Sequence, residues 1–172
     1  MAEMQQGKDK ILLFRKLSEQ NEEAAKLVFQ TDHTFSYSRS LDRIVTKDGA
    51  VVKVGELESE VSIEAIQAKG DPVGKMLRDS VKKGEKLELW EVTVDEDLKD
   101  EDGKYPAVYA QGYLDSWENT AGVDDESTVS STFIVELEPQ EGFATLTEEQ
   151  ESAVQYAFKD TVADGNSGGV EG

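Results

Sequence analysis

Four stretches of this chain carry residue types that could do chemistry. Gly165-Asn166-Ser167-Gly168-Gly169 matches the G-x-S-x-G pattern, in which a serine on a strained turn serves as an acyl-transfer nucleophile. Such an elbow needs a strand before it and a helix after it; this one runs into the C-terminus, so a flexible Gly-rich tail over 164–172 is the better reading. His33 is the sole histidine, hence the only imidazole a triad or metal site could use. It stands between Asp32 and Thr34, in what reads as a turn between two strands, and suits a solvated or hydrogen-bonded loop residue better than a general base. The acidic run 95–102 offers oxygen ligands to a hard cation, but setting Gly103 at the sixth position of a calcium loop puts Leu98 at the first.

The fourth stretch is an ordered row. Over residues 55–68 one face of an alternating strand carries Leu57, Ser59, Val61, Ile63 and Ala65, and the other carries Glu56, Glu58, Glu60, Ser62 and Glu64. Alternate residues lie about 7 Å apart, so neighbouring carboxylates repel by only about 0.6 kcal/mol in water but by about 2.4 kcal/mol at an effective dielectric of 20. The row must stay wet. It is either the solvent face of a sheet or a functional lining. A carboxylate pair for glycoside hydrolysis is uninformative in a chain with 37 acids, and Trp90 and Trp117 suit a core or interface as well as a sugar platform. No catalytic residue, metal site or cofactor is expected.

The elements that place these residues are mostly strands. Residues 10–17 (KILLFRKL), 26–30 and 34–38 are apolar, aromatic or β-branched, and Lys47-Asp48-Gly49 is a turn leading into the run 50–54. One helix is well signalled, over 72–83. Asp71 is its N-cap, Pro72 its first residue and Gly84 its stop, Lys82 and Lys83 complement its dipole, and Val73, Met76, Leu77 and Val81 form its apolar stripe. Strands follow over 86–94, 107–117 and 128–137, with a charged hairpin tip at 95–104 containing Asp102-Gly103. Thr147 and Gln150 form a capping box before a possible helix at 147–158 carrying Ala153, Val154, Ala157 and Phe158. These elements predict a mainly β fold, an antiparallel sandwich or barrel with one packed helix. The domain organisation is an N-terminal arm (1–9), the β-domain (10–142), a C-terminal arm (143–163) and the tail.

Composition bounds the function. The chain has 172 residues and a net charge of −19, with 14 of its 37 acids but only one of its 18 bases between Tyr105 and Gly172. Acid so placed is either a solubility coat or the lining of something that must not hold an anion. There is no cysteine, which removes disulfides and thiolate chemistry. The start, MAEMQQGKDK, lacks the apolar core of a signal peptide, and no run approaches a membrane span, so a soluble product is expected.

With strands, helix and acidic row in hand, the chain resembles the major tail proteins of long-tailed, non-contractile bacteriophages, the subunits of the tail tube. The resemblance rests on GKDKILLFR at Gly7 to Arg15, FQTDHTFS at Phe29 to Ser36, TKDG at Thr46 to Gly49, EVSIEA at Glu60 to Ala65, YAQGYL at Tyr109 to Leu114 and TLTEEQ at Thr145 to Gln150. It implies a virion protein assembled in the host cytoplasm: a β-sandwich subunit, six to a ring, with rings stacked into a hollow tube. It further implies a tape-measure protein in the lumen during assembly, tail terminator and distal tail proteins at the ends, and DNA passing at infection without specific binding. Under it Glu56, Glu58, Glu60, Glu64, Glu136 and Glu138 are the candidate lumen lining. The loop 38–52, with Arg39, Asp42, Arg43, Lys47 and Asp48, is then a candidate ring-stacking element. Two alternatives stand beside it. One is a binding module reading glycans or protein through Tyr109, Tyr113 and Trp117; the other is the tube protein of a contractile or type VI secretion system.

Overall fold

The computed structural model describes residues 3–123 and 125–147. The Gly-rich tail and, beyond Thr147, the expected helix at 147–158 lie outside the described residues. Among the described residues nine strands form one antiparallel sheet: β1 (Lys10–Lys16), β2 (Ala25–Lys26), β3 (Gln30–Thr46), β4 (Gly49–Ile66), β5 (Leu87–Thr93), β6 (Tyr105–Leu114), β7 (Glu118–Thr120), β8 (Thr128–Val135) and β9 (Gln140–Ala144). The strand order is β2-β1-β5-β6-β8-β4-β3, with β7 beside β8 and β9 beside β6.

The sheet doubles over at β8, which pairs with β4 along one side and with β7 and then β6 along the other. Its residues 128–134 pair with β4, and its last three pair with β6 at Gly112 to Leu114. The two halves face each other as a sandwich. Alternation supplies the filling: Leu12 and Phe14 of β1, Leu87 and Leu89 of β5 and Ala110 of β6 meet Val61, Ile63 and Ala65 of β4 and Phe133 of β8. The far face of β1, β5 and β6 is also covered, with Ile11, Leu13, Val92, Val94, Tyr105 and Ala107 in a second cluster against which Ala144 and Leu146 pack.

Helix α1 (Pro72–Lys83) forms as the capping residues dictate. The Asp71 carboxylate accepts from Val73 N–H at 3.0 Å, and Gly84 closes the helix in the left-handed region at φ 67°. Val73 and Leu77 enter the main core, with Met76 and Val81 partly buried against it.

Several segments differ from expectation. Residues 26–30 and 34–38 are not two strands of similar length. β2 is two residues long, and β3 runs for 17 residues from Gln30. His33 therefore lies within β3, paired with Ile63, and not in a turn. The reversal falls earlier, at Phe29, which has φ 56° and whose carbonyl accepts from Ile66 N–H. The expected loop 38–52 is a hairpin: Arg39, Asp42 and Arg43 lie in β3, paired with Leu57, Lys53 and Val52, and only Lys47 and Asp48 form the turn. Its β3 half is disguised by Asp42 and Arg43, which interrupt the apolar residues Leu41, Ile44 and Val45. Strands β7 and β9 were not signalled; each is short and lies at the margin of a neighbouring strand.

Candidate assembly surfaces

The glutamate row keeps one face. Directly opposed residues of an antiparallel pair share a face, so Asp32, Thr34, Ser36 and Ser38 of β3 stand beside Glu64, Ser62, Glu60 and Glu58 of β4. The same face continues through Ser130, Thr132 and Ile134 of β8 to Glu118 of β7. Glu56, Glu58, Glu60 and Glu64 are all exposed. Between residues 32–38, 56–64 and 130–134, and including Glu118, this face carries six acids and no lysine or arginine. Asp32 and Glu118 were invisible in the sequence as members of the row, since only strand register brings them there.

Glu136 and Glu138 lie past the end of β8, outside the strand pairing that defines this face. Glu136 follows the end of β8 and pairs with Lys86 at 2.9 Å, which cancels its charge locally. Glu138 is exposed in the connection to β9, and its carbonyl accepts from Gln140 Nε2.

Beyond residue 39 the hairpin leaves the sandwich. The pairing passes from Arg39 with Leu57 to Leu41 with Val54, so Gly55 and Glu56 together oppose Ser40 in a bulge. A Cβ at Gly55 would press on Ser40, whose hydroxyl can rotate away but whose carbonyl oxygen would lie only 3.0 Å off, so glycine is favoured there. The extra residue shifts the phase of β4. Leu41, Arg43 and Val45 therefore sit beside Val54, Val52 and Ala50, and together they prolong the core face past the body of the protein. Nothing among the described residues covers them: Leu41 is 62% exposed, Val45 81% and Val52 58%. At the tip Thr46 Oγ1 donates to the Gly49 carbonyl and accepts from Asp48 N–H, and Gly49 takes φ 120°. A two-stranded ribbon is marginal alone in water, and exposed apolar area of this kind marks an interaction surface. The β-branched residues flanking Lys47-Asp48-Gly49 were the signal for it.

Two contacts seat β3 against the opposite half. The Gln30 amide accepts from Leu12 N–H at 3.0 Å and donates to the Leu12 carbonyl at 2.8 Å, standing in for a strand neighbour of β1. His33 Nε2 lies 2.7 Å from Glu91 Oε2 of β5, both side chains nearly buried. His33 is thus a sheet-to-sheet contact. Among the described residues, the outer edge of β3 carries no strand pairing.

The three aromatic residues considered for ligand binding do not converge. Tyr109 donates to Glu88, accepts from Gln111 Nε2 and packs on Trp90 at 5.1 Å. Trp117 is packed against the main core, and Tyr113 alone is exposed. The Glu88 carboxylate, bonded to Arg15 at 2.7 Å, holds the Arg15 guanidinium above its ordinary pKa despite burial. Among the described residues, no group of three or more His, Asp or Glu could hold a metal, and no helix is long and apolar enough to cross a membrane.

A sandwich with an unpaired sheet edge among the described residues, a projecting hairpin with exposed apolar side chains and a polar face without bases has the surfaces of a structural building block. The chain belongs to the phage tail tube protein family, whose sequence profile matches residues 4–141. It is 33% identical over 165 residues to a protein assigned to the tail of Staphylococcus phage phiMR25, covering 94% of this chain and 85% of that one. The fold is that of the Bacillus phage SPP1 tail tube, with TM-score 0.72 at 19% identity, covering 96% of this chain and 95% of that one. The tail of a gene transfer agent particle, refined with sixfold symmetry, matches with TM-score 0.61 at 13% identity, covering 83% and 100%. This protein is accordingly a structural component of a virion tail tube.

Proposed function

We propose that six copies form a ring, that rings stack into a tube around a tape-measure protein, and that the face bearing Glu56, Glu58, Glu60 and Glu64 lines the channel through which DNA leaves. The observation that carries this is the composition of that face: six acids, serines and threonines, and no base. Lysine or arginine on a conduit wall would bind phosphate through counterion release and slow its passage; carboxylates do not. The free β3 edge supplies backbone donors and acceptors for a neighbour, in keeping with ring closure through continued sheets. The sixfold symmetry of the gene transfer agent tail supports the copy number.

The hairpin over 39–54, with Arg39, Asp42, Arg43, Lys47 and Asp48, is the proposed contact between rings. Its uncovered apolar face needs a partner surface, and a stacked ring provides one in every copy. Tail terminator and distal tail proteins would meet the same surfaces at the tube ends.

Negative-stain microscopy of the purified protein at high concentration and raised salt is the direct test. Rings or tubes are expected, and salt promotes them by screening repulsion between acidic faces. A protein that stays monomeric in every condition, tape-measure protein included, would overturn the proposal.

A further inference from the structure

The hairpin that projects from one end of the β3–β4 pair has a counterpart at the other end. These strands pair from Thr46 with Gly49, at the hairpin turn, to Gln30 with Ala65, at the opposite end of the sandwich. A groove of about 410 Å³ opens there, lined by Ala65 and Ile66 where β4 finishes and by the first turn of α1. Its floor is the end of the main core. Leu27 and Ala65 belong to that core, Trp117 packs partly buried against it, and Val129 is buried opposite Ala65. An apolar face thus continues past one end of the molecule, and a groove floored by core residues opens at the other. Identical subunits stacked with one polarity bring these two ends together in every copy. The hairpin runs about 23 Å past the bulge, seven residues at the rise of a strand, which carries it onto the body of the next copy.

Charge and lining select this groove over the others. Residues 39–54 carry four bases and two acids, a positive element in a chain of net charge −19. The larger cleft along β1 and β3 is lined by Lys8, Lys10 and Lys26, which have no ion pair among the described residues and would repel the hairpin. The cleft on the acidic face is lined almost wholly by polar residues, and the one beside Trp90 and Phe143 contains no residue of β3 or β4 and lies on the far face of β1 and β5. In the groove at the end of β4, Lys75 is held by Asp79, which leaves Asp71 and the exposed Arg78 as its balanced pair of charges. The hairpin matches them, with Arg43 on its apolar face and Asp48 at its tip.

We propose, on the stacked-ring assembly above, that the hairpin of one copy docks in this groove of a copy in the adjacent ring. Leu41, Val45 and Val52 then cover the core end at Leu27 and Trp117, with Arg43 by Asp71 and Asp48 by Arg78. Each copy lends a hairpin to one neighbour and receives one from another, so one terminal ring of a tube keeps open grooves and the other keeps bare hairpins.

The absence of cysteine makes a clean test. The full chain carrying Val45→Cys and Ala68→Cys, a groove residue, is assembled and mildly oxidised. It is expected to give a ladder of disulfide-linked chains on a non-reducing gel that runs past six copies, because a head-to-tail contact between rings does not close. Val45→Cys with Lys10→Cys is expected to give none. Tubes without the Ala68→Cys ladder, a ladder that stops at six, or cross-linking through Lys10→Cys instead overturn the proposal and leave the stacked rings standing. A parent that forms no tubes removes both. In a second measurement, Arg78→Asp and Asp48→Arg are each expected to raise the protein concentration at which tubes appear by about fivefold, and together to restore the parent's value. Defects that merely add, in subunits that melt like the parent, overturn it.

Discussion

Gly112 and Ile134 touch backbone to backbone where β6 crosses to β8, so that a methyl group on Gly112 would lie 1.9 Å from the Ile134 carbonyl oxygen. The neighbour is main chain, held by its own ladder, and cannot rotate away. Gly112→Ala is therefore expected to destabilise the monomer by about 3 kcal/mol, the upper end of overpacking costs, by prising apart the strand junction between the two halves of the sandwich. Urea unfolding followed by circular dichroism measures this. A midpoint within error of the parent would show that the junction yields.

The Arg15–Glu88 pair is expected to be the most costly polar contact to break. Glu88 has 3% of its side chain exposed and is also bonded to Tyr109. Arg15→Ala leaves that carboxylate buried without its cation, and removes the bonds from Arg15 to the carbonyls of Gln20 and Glu22 that pin the β1–β2 connection. A loss of about 3–5 kcal/mol follows. Tyr109→Phe removes one donor and keeps the cation, so a loss of about 1–2 kcal/mol is expected. Equal losses for the two variants would refute this ordering.

Stability should fall in alkali. Burial followed by the bond to Glu88 raises the pKa of Tyr109, and partial burial with Glu91 and Glu141 raises that of Tyr37, which is still 54% exposed, so Tyr109 carries most of the effect. A raised tyrosine pKa means the folded chain holds its proton after the unfolded chain has lost it. The associated stability is complete below about pH 10 and declines as pH rises through the folded value. Urea midpoints between pH 8 and pH 11 should show this decline, and replacing Tyr37 and Tyr109 by Phe should reduce its slope relative to the parent. An identical slope would place the alkaline loss in general charge repulsion instead.

Local signals were readable and long-range ones were not. Helix α1 follows from Asp71, Pro72 and Gly84, each of which acts within a few residues of itself. The glutamate row follows from strict alternation in β4, and all four members share the exposed face. His33 was misplaced because Asp32-His33-Thr34 looks like a turn, whereas pairing with β4 draws it into a strand and Phe29 takes the reversal. Asp32 and Glu118 join the acidic face only through register with strands far away in sequence. Gln30 was equally hidden, since nothing in its neighbourhood announces a bond to the backbone of Leu12. The turn Lys47-Asp48-Gly49 and the run 50–54 were readable, but the β3 half of the hairpin was not, because its apolar residues Leu41, Ile44 and Val45 are interrupted by Asp42 and Arg43 and do not alternate cleanly.

Charge placed on the hairpin should separate folding from assembly. Val45 and Val52 are exposed in the monomer, so Val45→Asp with Val52→Asp should change unfolding free energy by no more than about 1 kcal/mol, surface substitutions being worth about 0.5 kcal/mol each. Buried between stacked rings, the same carboxylates would each cost several kcal/mol. Sedimentation and negative-stain microscopy should then find a folded subunit that forms no tubes. Tubes of normal length would show that the 39–54 hairpin lies outside the ring contacts.

The lining proposal makes the sharpest demand on the glutamate row. Replacing Glu56, Glu58 and Glu60 by Lys alters three exposed side chains of β4, so the monomer should fold with little change in melting temperature. Removing three negative charges and adding three positive ones shifts each copy by six units, and six copies shift a ring by about thirty-six, which turns that part of the proposed wall cationic. DNA drawn past such a wall exchanges its counterions for lysine at each ring. Phage bearing the change should therefore assemble tails of normal length and adsorb normally but deliver DNA slowly or incompletely. The defect should ease as salt rises, because counterion release weakens with ionic strength. Gln at the same three positions is the control: it removes charge without creating an anion site and should leave delivery nearly intact. Normal delivery by the Lys variant would put this face on the outside of the tube.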